Sequence, residues 1–203
     1  MSVNADNMVF ELLLILLVTF VSNATPFFGV SYTLLSTSFL LFSGVNPFNF
    51  TLVVLTTGIS AALAKTLMYY GALGVSGSLK KNKNIRLFSG WINTKSFLLA
   101  LFIAAFIPIL PLDDYIYIGA GANRAKLSQM LTITISAKIA KSVFEISLEL
   151  LGIISITDYL QVLGISAVEL SIILSVFFVV LGVVLYKLDW ENILGRITKR
   201  VVR

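Results

Sequence analysis

Asp113 and Asp114 stand side by side in the apolar stretch 96–122, just after Pro108-Ile-Leu-Pro111. An ionised Asp near the centre of a membrane costs about 2.5–3.5 kcal/mol on insertion scales, so acids in such places face a cavity and mark a path for ions or substrate. A competing role is to cap a half-helix beginning near Leu112, since Asp suits the positive end of a helix. Lys138, Lys141, Glu145 and Glu149 follow at spacings of three, four and four. At about 100° per residue they form one stripe. Lys141 and Glu145 can pair at i, i+4 and line a polar cavity, while Lys138 and Glu149, nearer the ends, are expected to snorkel outward. Lys65 is the lone charge of the stretch 51–74 and has no acid near it in sequence. It needs a distant partner, Asp113 or Asp114, or else an anionic ligand. Thr25, Ser31 and Tyr32 offer hydroxyls around Pro26 and Gly29.

Other chemistries are excluded by what is missing. The 203 residues contain no Cys and no His, which removes thiol catalysis, disulfide frameworks and the usual zinc sites. No phosphate-cradling loop or catalytic constellation is visible. An enzyme is therefore not expected, nor a cofactor or a metal. Of the chain, 58% is hydrophobic and 12% charged, against about 25% charged in a soluble domain.

The elements that must position these charges are apolar stretches at 8–43, 51–74, 96–122, 127–151 and 166–188. The first is interrupted around Pro26 and Gly29, the third around Pro108 and Pro111. Proline removes a helical donor and clashes with the preceding turn, and a break at membrane depth must face protein or a wet cavity. Twelve of the fifteen Lys and Arg fall in 75–95, 123–126 and the tail, whereas 1–7, 44–50 and 152–165 have none. By the positive-inside rule the basic segments are cytoplasmic and the N-terminus is outside. Stretches 8–43 and 96–122 then enter and return on the same side as re-entrant hairpins. The N-terminus lacks a basic region before its apolar run and reads as mature.

The expected fold is an all-α integral membrane protein, an inverted repeat of broken re-entrant hairpin plus transmembrane helix. One further C-terminal span is added. A single membrane domain covers 1–203: repeat 1 at 8–74, a cytoplasmic loop at 75–95, repeat 2 at 96–152, a final span at 166–188 and a basic tail at 189–203. Ser60-Ala-Ala-Leu-Ala-Lys65-Thr66 and Ser136-Ala-Lys-Ile-Ala-Lys141-Ser142 match as S-A-x-x-A-K-[S/T] in the two spans. The small residues of both allow close helix contact. Gly119-Ala-Gly121 reads as a helix end and turn.

Three stretches together resemble the DedA family of membrane proteins, also called the VTT or SNARE-associated family. They are Asn23 to Leu35 with Pro26 and Gly29, Gly58 to Gly74, and Phe106 to Ser142 with its P-x-x-P-x-D-D hairpin. The resemblance covers residues 8–152. It implies two hairpins meeting within a membrane, and movement of lipids or lipid-linked carriers such as polyprenyl phosphates, or proton-linked transport. Many members carry a Glu in the first hairpin and an Arg before the Pro of the second. Here Asn23, Thr25 and Ser31, and Ala104-Ala105-Phe106-Ile107, stand instead, so those two roles do not carry over.

The leading expectation is a flippase or scramblase for an anionic lipid or lipid-linked carrier. Lys65 and Lys141 attract the headgroup, and Asp113, Asp114 and Glu145 bind a proton or cation or balance the lysines. A proton-coupled exporter of small solutes or drugs and a non-transporting scaffold are the alternatives. Expected partners are membrane lipids, an anionic lipid-linked substrate, and protons or cations, with a homo-oligomer left open and nucleic acid excluded. The cell membrane is the expected location.

Overall fold

The computed structural model describes residues 5–25, 32–81, 85, 91–92, 94–107, 112–163 and 180, which form helices and short turns with no strand among them. In chain order the helices are α1 (Ala5–Ala24), α2 (Tyr32–Ser43), α3 (Pro47–Gly74), the one-turn α4 (Ser76–Leu79), α5 (Lys95–Phe106), α6 (Leu112–Ala122) and α7 (Leu127–Leu163). Helix α1 closes before Pro26 and α5 before Pro108, where the residue preceding a proline disfavours the helical conformation. Pro26, Gly29, Pro108 and Pro111, and the whole of the expected final span except Val180, lie outside the described residues.

Local chemistry sets the element ends. Gly44 takes a left-handed turn (φ 92°) between α2 and α3. The Asn46 side chain then accepts from the Asn49 amide at 2.9 Å, with Pro47 in the first turn of α3. This is the favoured helix start, since that proline's missing N–H would have had no helical partner. Thr94 caps α5 by accepting from the Phe97 amide at 3.1 Å. At the end of α6, Arg124 has φ 58°, and the amides of Arg124 and Ala125 bond to the carbonyls of Gly121 (3.2 Å) and Ala120 (3.0 Å). That is a Schellman closure with Arg where Gly is usual, and it turns the chain into α7.

Two apolar clusters form the interior. One gathers Ile15 of α1, Leu40 of α2, Val53 and Val54 of α3 and Ile146 of α7. The other gathers Met68 and Tyr69 of α3, Phe97 and Leu101 of α5, Ile116 and Tyr117 of α6, and Met130 of α7. Along α3 the order is first cluster, Lys65, second cluster. Along α7 it is second cluster, Lys138 and Lys141, first cluster. The two long helices therefore run in opposite directions through the same layers. Helices α1 and α2 belong to the first cluster, α5 and α6 to the second. Packing follows suit: α1 lies on α3 and α5 on α7, while α2 reaches α7 and α6 reaches α3.

Between its ends helix α3 turns an apolar ridge outward. Leu55, Ile59, Leu63 and Leu67 form an exposed ridge at intervals of four, while Thr57, Gly58, Ser60, Ala61, Ala62, Ala64 and Lys65 are buried. Among the described residues it is the one helix long and apolar enough to cross a membrane. Helix α7 has 37 residues but carries the four-residue charged stripe. It runs on to Leu163, through the segment 152–165 read from sequence as an external connection. That segment holds Gly152 but no proline before Leu163, so nothing in it stops a helix.

Gly119-Ala-Gly121 lie in the last turn of α6, which ends at Ala122 and is followed by a turn at Asn123 and Arg124, as the sequence leads one to expect. Their role is close approach. A Cβ on Gly121 would sit 2.3 Å from the Tyr69 carbonyl oxygen, and one on Gly58 would sit 2.7 Å from Ile139 Cα. Both obstacles are backbone, so α3 must shift from α6 or α7. Overpacking of this kind costs about 1–3 kcal/mol. Gly58→Ala and Gly121→Ala should each lower the thermal unfolding midpoint of the purified protein. Gly71→Ala, where nothing lies within 4 Å, should leave it unchanged or raise it slightly.

Candidate functional site

Between the two apolar clusters lies a layer of buried charge. Lys65 is 3% exposed, Asp113 and Asp114 2% each, Lys138 3% and Lys141 8%. These three lysines are the ones left over when the twelve basic residues of the loops and tail are set aside. Helix α6 starts at this level and puts Asp113 and Asp114 in its first turn, where the positive end of the helix favours negative charge.

Lys65 donates to Asp114 Oδ1 in a short ion pair and lies 3.6 Å from Asp113 Oδ2. Asp113 Oδ2 is also 2.8 Å from Lys138 Nζ, held by charge without an aligned hydrogen bond. The acid that Lys65 lacked in its own helix is thus supplied by the second half of the chain. Asp113 and Asp114 are more than caps, because their carboxylates are the partners of Lys65 and Lys138.

Both lysines of the matched S-A-x-x-A-K segments also reach a helix end. Lys65 Nζ donates to the Asn23 carbonyl, near the last residue of α1, and Lys141 Nζ donates to the Ile107 carbonyl, just past α5, each at 3.3 Å. The last carbonyls of a helix lack intrahelical partners, and a lysine satisfies them while meeting the negative end of the dipole. Lys141 also pairs with Glu145 at 3.7 Å along its own helix.

Hydroxyl contacts tie the surrounding helices to this level. Ser36 of α2 shares a 2.8 Å bond with Thr57 of α3, Ser60 of α3 donates to the Leu16 carbonyl of α1 at 2.6 Å, and Tyr117 of α6 donates to Thr134 of α7 at 2.9 Å. Each of these bonds joins two helices across a buried face and satisfies polar groups there.

Two residues differ from expectation. Lys138 does not snorkel: three residues before Lys141, it shares that lysine's face and meets Asp113 across the interface. Glu149 does not snorkel either. It accepts from Thr33 Oγ1 at 2.6 Å and Thr37 Oγ1 at 2.5 Å, both on α2. The signal was the stripe spacing itself, which puts all four charges on one face. Pro26, Gly29, Pro108 and Pro111 are outside the described residues, but the residues flanking both breaks meet through Lys65. Among the described residues no group of acids suits a metal ion.

No protein-family model matches this chain, and no curated protein and no solved structure matches it.

Removing one member of a buried ion pair leaves an uncompensated charge and costs about 3–5 kcal/mol. Asp114→Asn should therefore lower stability strongly. Lys65→Gln in the same molecule should recover much of the loss. A double-mutant cycle of thermal unfolding checks this, and additive losses would mean that the two side chains are not coupled.

Proposed function

We propose that the chain is an integral membrane protein whose two halves are inverted repeats, each a broken re-entrant hairpin and a span, related to the DedA family by resemblance. Its reading as a flippase or scramblase rests on one observation above all. Five charged side chains lie buried in one layer where four helices begin or end, between two apolar clusters. The opposed directions of α3 and α7 through these layers support the inversion. The apolar ridge of α3, with small and polar residues turned inward, supports a lipid solvent outside, since membrane helices pack through small residues.

The substrate on this reading is an anionic lipid or a lipid-linked carrier of the polyprenyl phosphate type. Its headgroup competes with Asp113 for Lys138 and Lys65. Asp114 keeps Lys65 oriented through the exchange, and Lys141, anchored on the Ile107 carbonyl and Glu145, offers a second cationic contact. The aspartates thereby balance the lysines when the site is empty. Placed in the cell membrane, the N-terminus is outside and loop 75–95 inside. Cysteines introduced at Asn4 and Lys83 of this cysteine-free chain should label from opposite faces, and labelling from one face would overturn the inverted arrangement.

The deciding experiment is reconstitution in liposomes with labelled anionic lipid and, in parallel, small-solute flux. Lipid movement without solute flux is expected, and the reverse result would favour the exporter. Asp113→Asn and Asp114→Asn should insert normally yet move lipid at least about tenfold more slowly, equivalent to about 1.4 kcal/mol in the barrier. The variant combining Lys65→Gln with Asp114→Asn should regain stability without regaining transport. Normal transport by both single variants would leave the aspartates a structural role only, as helix caps and ion-pair partners.

A further inference from the structure

Glu149 is set apart from the acids of the buried charged layer and from Glu145. Among the described residues Asp113, Asp114 and Glu145 each lie within 4 Å of a lysine, and Glu149 is in none of the ion pairs. Its partners are two hydroxyls, one on each carboxylate oxygen, from Thr33 and Thr37. These threonines sit one turn apart on α2, and both are buried. Nearby lie Ile146 and Leu40, of the first apolar cluster, and Leu150, which packs against it. Glu149 itself is only partly buried.

The charges count the same way. Lys65, Lys138 and Lys141 are balanced by Asp113, Asp114 and Glu145. An ionised Glu149 therefore has no lysine of that layer left to pair with, and it stands one helical turn from Glu145, a like-charge spacing that is itself unfavourable. The charged group bearing on it most directly is Glu145, on its own helix. Of the elements packed around this cluster, α1 brings Glu11, to which Ser43 of α2 donates at 3.5 Å, and α3 brings Lys65, its only charge. Helix α2 has no charged residue and contributes Tyr32 as its titratable group, and α5 carries only Lys95, at its start.

We propose that the Glu149 carboxyl is a proton-binding site, and that its occupancy governs how tightly α2 is held to α7. Ionised, Glu149 accepts both threonine hydroxyls in charge-assisted bonds, which are roughly twice as strong as neutral ones. Protonated, its O–H donates to one threonine oxygen. The Thr37 hydroxyl then turns to the carbonyl four residues back, as Ser36 and Ser38 of the same helix already do toward Tyr32 and Leu34. The clamp on α7 weakens, while the Ser36–Thr57 bond to α3 stays. Helix α2 thus hinges about α3. This site is independent of the transported substrate and holds whether or not the chain moves lipid.

The test uses the full chain in nanodiscs, spin-labelled at Ser38→Cys and Leu148→Cys, two exposed positions on α2 and α7. Acidification should lengthen or broaden the label distance, with the same midpoint as a protonated-carboxyl band followed by infrared spectroscopy. Glu149→Gln should lose that band and show the acid distance at every pH, whereas Glu145→Gln should keep both responses. Thr33→Val with Thr37→Val keeps the carboxyl and removes its two donors, and should move the midpoint by about one pH unit or more. This second variant decides the matter if Glu149→Gln does not fold. A pH-dependent distance that survives in Glu149→Gln, a midpoint untouched by the threonine changes, or a response that follows sodium concentration instead of pH would each overturn the proposal.

Discussion

The contact on which the rest of the bundle depends is the one Lys65 makes in two directions. Its ammonium holds the Asn23 carbonyl at the end of α1 and the carboxylates of Asp114 and Asp113 at the start of α6. A chain that stops two helices in its interior leaves carbonyls at one end and a concentration of amide dipoles at the other. Neither can stay bare in apolar surroundings. Lysine answers the first and carboxylate the second, and the two answers neutralise each other. Burying each ion costs several kcal/mol, so the layer holds only because every charge in it meets an opposite charge or a helix end.

That arrangement demands close backbones. Side chains long enough to bridge helices must come from helices packed almost in contact, and Gly58 against Ile139 and Gly121 against Tyr69 provide this. The small buried face of α3 follows from the same need. Its leucines and isoleucines are displaced outward because the inward positions are taken by backbone proximity and by Lys65. Composition, packing and electrostatics are here one constraint seen at three scales.

Much of this was legible in the sequence, for reasons that can be named. Lys65 lacked an acid within its own helix, and an unpaired lysine at that depth is costly enough to demand one from elsewhere. The two prolines at Pro26 and Pro108 marked where helices stop, and α1 and α5 stop before them. Lys138 and Glu149 were misread because distance from the centre of a stretch was used as a guide to depth. What fixes a side chain's surroundings is the element across the interface, and a single sequence does not say that α6 begins opposite Lys138 or that α2 lies against Glu149. Gly121 does stand at a helix end, but glycine serves both helix ends and close packing, and only the position of Tyr69 shows that it does both. The helix beyond Leu151 was missed because absence of basic residues describes which side of a membrane a segment occupies, not whether it is coiled.

The two halves share a backbone device and differ in charge. Lys65 and Lys141 occupy the same place in a repeated segment, and each holds the end of its own half's first helix at 3.3 Å. Lys65 then finds two carboxylates from the opposite half, whereas Lys141 finds one from its own helix. On α2, where α6 has Asp113 and Asp114, there are hydroxyls only. The acid at the α2–α7 interface stands on α7, as Glu149. One interface is therefore closed by permanent ion pairs and the other by hydroxyls on a single carboxylate. If the helices move against each other, the second is the one whose strength a proton can change, because its charge is not already committed to a lysine.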